Sequence, residues 1–179
     1  MFLLSSLFSP VCGQNPDHTW VLGGLPLPCC QRCTGLYAGA LLAIVLRAWL
    51  RPRLSRGFVL AHSLFLLQLT LATVPSLAHG PVLRTISGFC YGFGVVAFLG
   101  APVNLRLGPM PSGAGRMWWY AAGMGASLAL LLSAVAWDQR LSAGVLSWIV
   151  LVGAISLVGL ILVNVALLLR SILPSQCPC

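Results

Sequence analysis

From residue 143 to residue 169 the chain runs without one charged side chain. A stretch that long and that apolar is stable in a lipid bilayer, where no water is available to the backbone. Every N–H and C=O must then be satisfied within the segment, which selects a helix. Four further apolar runs, shorter and holding only Arg47 and Arg84 as charged residues, lie at residues 34–50, 57–77, 82–103 and 117–137. The expected fold is therefore all-α, a polytopic transmembrane bundle of about five spans. Composition agrees, since 59% of the 179 residues are hydrophobic and 7% are charged, whereas soluble domains carry roughly a quarter charged residues. An ordinary soluble domain is excluded.

The residues left over from the spans divide the chain. Residues 1–33 form an apolar start followed by a cysteine-rich loop, 34–170 form the bundle, and 171–179 form a short polar tail. Residues 1–11 are too short to span and have no arginine ahead of them to act as a signal-peptide leader, so a retained, interfacial segment is expected. Residues 21–28 contain two glycines and two prolines, which predicts a loop or hairpin. Trp118, Trp119, Tyr120 and Trp137 flank the fourth span at the depth of an aromatic belt.

Charge sets the orientation. The formal net charge of +8 comes from ten arginines against Asp17 and Asp138, with no lysine or glutamate. The arginines sit in short connections rather than on a sustained basic face, so membrane lipid is the expected partner and nucleic acid is not. Seven of them (Arg47, Arg51, Arg53, Arg56, Arg106, Arg116 and Arg170) fall on one side of the five-span arrangement. Arg32, Arg84 and Arg140 fall on the other. Arginine-rich short loops stay in the cytoplasm, so the cysteine-rich loop is expected outside a cell inner (plasma) membrane and the C-terminus inside. Two carboxylates are too few for a two-acid hydrolase or an acid-lined proton relay. Gln68 and Asn164 lie within spans and should turn into the bundle, while His62 is expected at the cytoplasmic interface. Small residues at Gly35, Gly39 and Ala43, and at Gly88 and Gly92, allow close helix packing within the chain, or pairing in a homo-oligomer or with another membrane protein.

Chemistry concentrates between residues 12 and 39. Cys12, Cys29, Cys30 and Cys33 are four of seven cysteines in the chain. Cys30 and Cys33 form a Cys-x-x-Cys pair at a helix start, where unpaired backbone N–H groups and the positive dipole end stabilise thiolate. Arg32 adds a fixed positive charge. On the expected topology His79 lies on the same face, His18 belongs to the same loop, and Cys90 sits about two helical turns below. Three readings stay open: a soft or borderline metal such as zinc or copper held by thiolates and imidazole; a dithiol–disulfide pair exchanging with Cys12 or Cys90 and passing electrons to a quinone; or a disulfide from Cys12 to Cys30 or Cys33 that staples the loop. Cys177 and Cys179 form a two-thiol tail with no histidine nearby, a poor ligand set.

Residues 8–39 resemble the membrane proteins grouped as domain of unknown function 2085. That family begins with a Cys-His-Gln-x-Pro-Glu-Arg-Ser-Phe segment, followed by Pro-x-Cys-Ala-Arg-Cys-Thr-Gly-Ile-Tyr-x-Gly leading into the first helix. Matching in order are Phe8, Ser9, Pro10, Val11, Cys12, Gln14, Pro16, Pro26, Pro28, Cys30, Arg32, Cys33, Thr34, Gly35, Tyr37 and Gly39. A looser likeness runs from Leu83-Arg84 through Gly88 to Gly94. The resemblance implies a multi-pass membrane protein with paired outer cysteines, supported by Gln14, Arg32, Tyr37 and Arg84, and it supplies no activity. Gly13 stands where the family has histidine, and Cys29 stands where it has an aliphatic residue.

Overall fold

A computed structural model describes residues 2–50, 52, 55–71, 80–106 and 114–172. In chain order these form α1 (Phe2–Phe8), a single 3-10 turn (Pro16–His18), β1 (Thr19–Leu22), β2 (Leu25–Cys30), α2 (Gln31–Leu50), α3 (Arg56–Leu71), α4 (Pro81–Arg106), α5 (Ala114–Ala136) and α6 (Arg140–Ile172). Among the described residues, α2, α4, α5 and α6 are long and apolar enough to cross a membrane. The expected second span begins as α3, and its final residues, 72–77, lie outside the described residues.

The centre of the bundle is the parallel pair α2 and α4. Gly35 faces the Thr85 carbonyl and Gly39 the Phe89 carbonyl; in return, Gly88 faces the Arg32 carbonyl and Gly92 that of Leu36. A Cβ at any of these four positions would overlap the opposing backbone, so only glycine permits this approach. Beside this seam Phe89, Phe93 and Val96 are buried almost completely. Next to α2 lies α6, where Gly153 meets the Tyr37 carbonyl. Two polar side chains tie spans to α4, with Gln68 Nε2 donating to the Ser87 carbonyl at 3.0 Å and Asn164 Nδ2 to the Leu99 carbonyl at 2.8 Å. The outer faces of α5 and α6 expose Trp118, Trp119, Leu130, Ile155, Leu162 and Leu168, as a lipid-facing surface requires.

Two aromatic-end expectations need correction. Tyr120 is 3% exposed and faces inward, away from the belt formed by its neighbours. Its hydroxyl stands 3.3 Å from His62 Nε2. His62 is likewise buried, stacked on Phe58 with ring centroids 4.0 Å apart and bonded through Nδ1 to the Phe58 carbonyl at 2.8 Å. An imidazole whose two nitrogens both find partners inside the bundle has no need of the interface.

The glycine- and proline-rich stretch forms a two-stranded hairpin, an addition to the otherwise helical fold. Gly23 and Gly24 take φ of 55° and 79°, and two consecutive positive φ values are what a tight two-residue hairpin turn demands. Register runs Leu22 to Leu25, Val21 to Pro26 and Thr19 to Cys30, with an irregularity between Thr19 and Val21. The tip is fastened to the α5–α6 connection: Asp138 Oδ1 accepts from Gly23 N–H at 2.8 Å, and Arg140 Nε donates to the Gly23 carbonyl at 3.2 Å. Trp20 Nε1 donates to Thr85 Oγ1 at 3.0 Å, anchoring the hairpin to the start of α4. The hairpin thus closes one end of the bundle.

Candidate functional site

Each of the clustered thiols is delivered by a different local device. Cys12 follows α1, whose last turn continues through Val11 and Cys12 as both backbone N–H groups return to the Phe8 carbonyl, at 3.0 and 2.8 Å. The thiol side chain is buried, 3% exposed. Gln14, at a left-handed φ of 43°, then reverses the chain. Its side-chain amide donates to the Ser5 carbonyl of α1 and, at 3.2 Å, to the Pro28 carbonyl of β2. One side chain therefore holds the Cys12 arm against the strand that carries Cys29 and Cys30.

That strand runs directly into α2, and neighbouring strand residues point to opposite faces. Cys29 turns inward, 1% exposed, with its sulfur 3.4 Å from Thr34 Oγ1. Because Thr34 Oγ1 donates to the Cys30 carbonyl at 3.1 Å, the Cys29 thiol is the donor in its own contact. Burial pushes Cys29 up to about 12, which keeps it a protonated, inert thiol at neutral pH.

Cys30 faces the other way and caps α2. Its sulfur accepts from the Cys33 thiol and the Cys33 backbone N–H, then from the Cys12 thiol and the Arg32 backbone N–H. These bonds, led by that from Cys33, hold Cys30 well below the usual thiol range against the opposing effect of burial. In addition, Cys30 N–H donates to Cys12 Sγ at 3.3 Å. The Cys12, Cys30 and Cys33 sulfurs consequently lie within 4.8 Å of one another. All five described cysteines, these three with Cys29 and Cys90, are free thiols.

Beside the trio opens a cavity of about 310 Å³ lined by Gly13, Gln14, Asn15, His18, Cys30, Arg32 and Arg84. Cys30 reaches it, and two guanidinium-bearing side chains make it electropositive. The sequence candidates therefore separate. Cys12, Cys30 and Cys33 come together; His18, Gln14, Arg32 and Arg84 border the adjoining space. Cys29 faces Thr34, and half-buried Cys90 shares a hydrogen bond with Gln68 of α3. Tyr37 lies beneath Phe8, with ring centroids 5.5 Å apart. His79, Cys177 and Cys179 are outside the described residues. Sequence reasoning did not single out Thr34, which orients both Cys29 and Cys30, although a threonine four residues after a helix cap is placed to reach back to it. Nor did it assign Asp138 and Trp20, which hold the hairpin over the bundle.

Residues 12–98 match the family model described as "Predicted membrane protein (DUF2085)". The match starts at the first thiol of the trio, includes the hairpin, and runs through the glycine seam of α2 and α4. A relative in Methanocaldococcus jannaschii, "Uncharacterized protein MJ1492", is 26% identical over 107 residues, covering 54% of this chain and 65% of its own length. The chain therefore spans a little under two thirds of that curated relative. No solved structure matches. From Cys12 to Phe98, the region that builds both the thiol trio and the central helix pair, the chain is similar to the domain of unknown function 2085 family of predicted membrane proteins.

Proposed function

We propose that this membrane protein binds one soft or borderline metal ion, zinc or copper(I), through Cys12, Cys30 and Cys33. The observation that carries the reading is the convergence of three sulfurs within 4.8 Å. Tetrahedral zinc with Zn–S bonds of about 2.3 Å puts its sulfurs about 3.8 Å apart, and trigonal copper(I) asks for a similar spacing. The trio needs only a small contraction to reach either. Three thiolates with a cavity alongside leave a coordination position for water or a small ligand, the arrangement of an exchangeable rather than a closed structural site. Arg32 and Arg84 on the cavity wall offset the negative charge of thiolate ligands. Arginine asymmetry supports an orientation in the plasma membrane with the trio outside.

The test is metal content in detergent-purified protein. One ion per chain is expected, lost in Cys12→Ser, Cys30→Ser and Cys33→Ser and retained in Cys29→Ser. Absence of metal, or content indifferent to the three substitutions, contradicts the proposal.

A second reading is favoured by one specific observation, the free Cys30 and Cys33 thiols lying within 4.8 Å of each other at the head of α2. In a thiol–disulfide reading, Cys30 and Cys33 give two electrons and two protons to a quinone, forming a disulfide and a hydroquinone. Alkylation of intact membranes followed by mass spectrometry should then find a Cys30–Cys33 disulfide that tracks quinone oxidation state. Thiols that stay reduced throughout count against it.

A further inference from the structure

At the end of the bundle away from the thiols, Arg47 in the last turn of α2 is only 4% exposed, and among the described residues neither Nη1 nor Nη2 has a hydrogen-bond partner. Its guanidinium carbon lies 5.7 Å from the Phe58 ring centroid, and Gly100 of α4 lets it in: a Cβ there would stand 2.8 Å from Nε. Tyr120, also buried, interacts electrostatically with it and carries a hydroxyl whose one described contact is His62. A guanidinium is always charged in a protein, and a buried charge without a partner costs several kcal/mol. The chain cannot neutralise it with an acidic side chain, because its two carboxylates are both at the far end: Asp138 accepts from the hairpin tip and Asp17 sits in the exposed 3-10 turn.

We propose that Arg47 is the anchor of an oxoanion site, taking the phosphate group of an anionic ligand. The two Nη groups, unpartnered among the described residues, form a planar fork that matches two oxygens on one phosphorus. Position and charge identify the class. Arg47 lies within one turn of the end of a helix long and apolar enough to cross a membrane, the level at which a span of that length meets lipid headgroups. Arg51, Arg53 and Arg56 follow it in sequence within ten residues, the stretch of the chain richest in positive charge. A phospholipid headgroup and free phosphate present the same chemistry, and they differ in whether acyl chains are needed to reach the site. The site is independent of the thiol trio.

Exhaustively detergent-washed full-length protein in dodecyl maltoside, at fixed ionic strength, is heated with dioleoyl phosphatidylglycerol, with inorganic phosphate, or with the phosphate-free lipid monoolein. At a hundredfold excess over Kd, Tm should rise by roughly 5–10 °C with a phosphate-bearing ligand and not with monoolein. A rise with phosphatidylglycerol alone identifies a lipid site, and a rise with both identifies a site open to free phosphate. Arg47→Met should abolish the increment. If that variant does not fold, Arg47→Lys, which keeps the charge but loses the planar fork, should shrink it. No increment in the wild type, an equal one with monoolein, or one unchanged in whichever variant folds overturns the proposal.

Discussion

Cys29 and Cys30 are adjacent thiols whose surroundings differ in kind. Cys29 is enclosed and its sulfur meets one hydroxyl, too little to offset the burial that disfavours its charged form. Cys30 collects backbone and thiol donors at a helix cap. In metal-free protein iodoacetamide should therefore modify Cys30 at neutral pH and below, while Cys29, buried and with its thiol pushed up, stays unmodified over the same range; residue-resolved mass spectrometry across pH checks this, and equal reactivity would refute it. The sign of the linkage also follows. A thiol whose native pKa lies below its unfolded value, about 8.5, contributes stability that is present above that value and lost as pH falls through the native pKa. Acidification of the metal-free protein should thus lower its Tm, and Cys30→Ser should remove that part of the dependence. The sequence put Cys30 in a Cys-x-x-Cys pair at a helix start and kept Cys29 as an extra thiol of the same cluster, without sending it to another face. The extended Pro-x-Pro-Cys-Cys run implies strand alternation, and that signal would have sent Cys29 to the opposite face. Arg47 was hidden for another reason: an arginine that orients a span and one buried inside it look alike until burial is known.

Among the elements, the α2–α4 seam bears the closest tolerance. Gly35→Ala would force the Cβ into the Thr85 carbonyl and displace the two helices whose starts carry the thiols and Arg84. A loss of about 1–3 kcal/mol is expected from overpacking of this kind, measured as a reduced Tm in detergent, with weaker metal retention as its consequence. Gly125, with nothing near its Cβ, should accept alanine without loss. The hairpin makes a separate prediction. Asp138→Ala leaves Gly23 N–H unpaired and should raise hydrogen exchange in residues 19–25, with α2 and α4 protected as before. The helices were legible because apolar length is a strong signal, and the hairpin because two glycines followed by two prolines break a helix. What periodicity did not show was the fastening of hairpin to bundle. Asp138 and Gly23 are 115 residues apart, and no local pattern links them.

For the whole molecule, α2, α4 and α6 start at the thiol end and α3 and α5 start at the opposite one, so the trio and Arg47 occupy the two ends of a single pair of central helices. Arginine asymmetry predicts that a membrane-impermeant maleimide added to intact cells reaches the cavity beside Cys30, and that a reporter fused to the C-terminus is active only in the cytoplasm; the reverse pattern would invert the orientation. The central claim is narrower than topology: three sulfurs from the loop after α1, the end of β2 and the first turn of α2 meet at one metal. X-ray absorption at the metal edge of purified protein loaded with one equivalent of zinc tests it most directly. The account predicts three sulfur scatterers at about 2.3 Å; a shell of oxygen and nitrogen alone, or zinc that will not bind because Cys30 and Cys33 are joined as a disulfide, would contradict it.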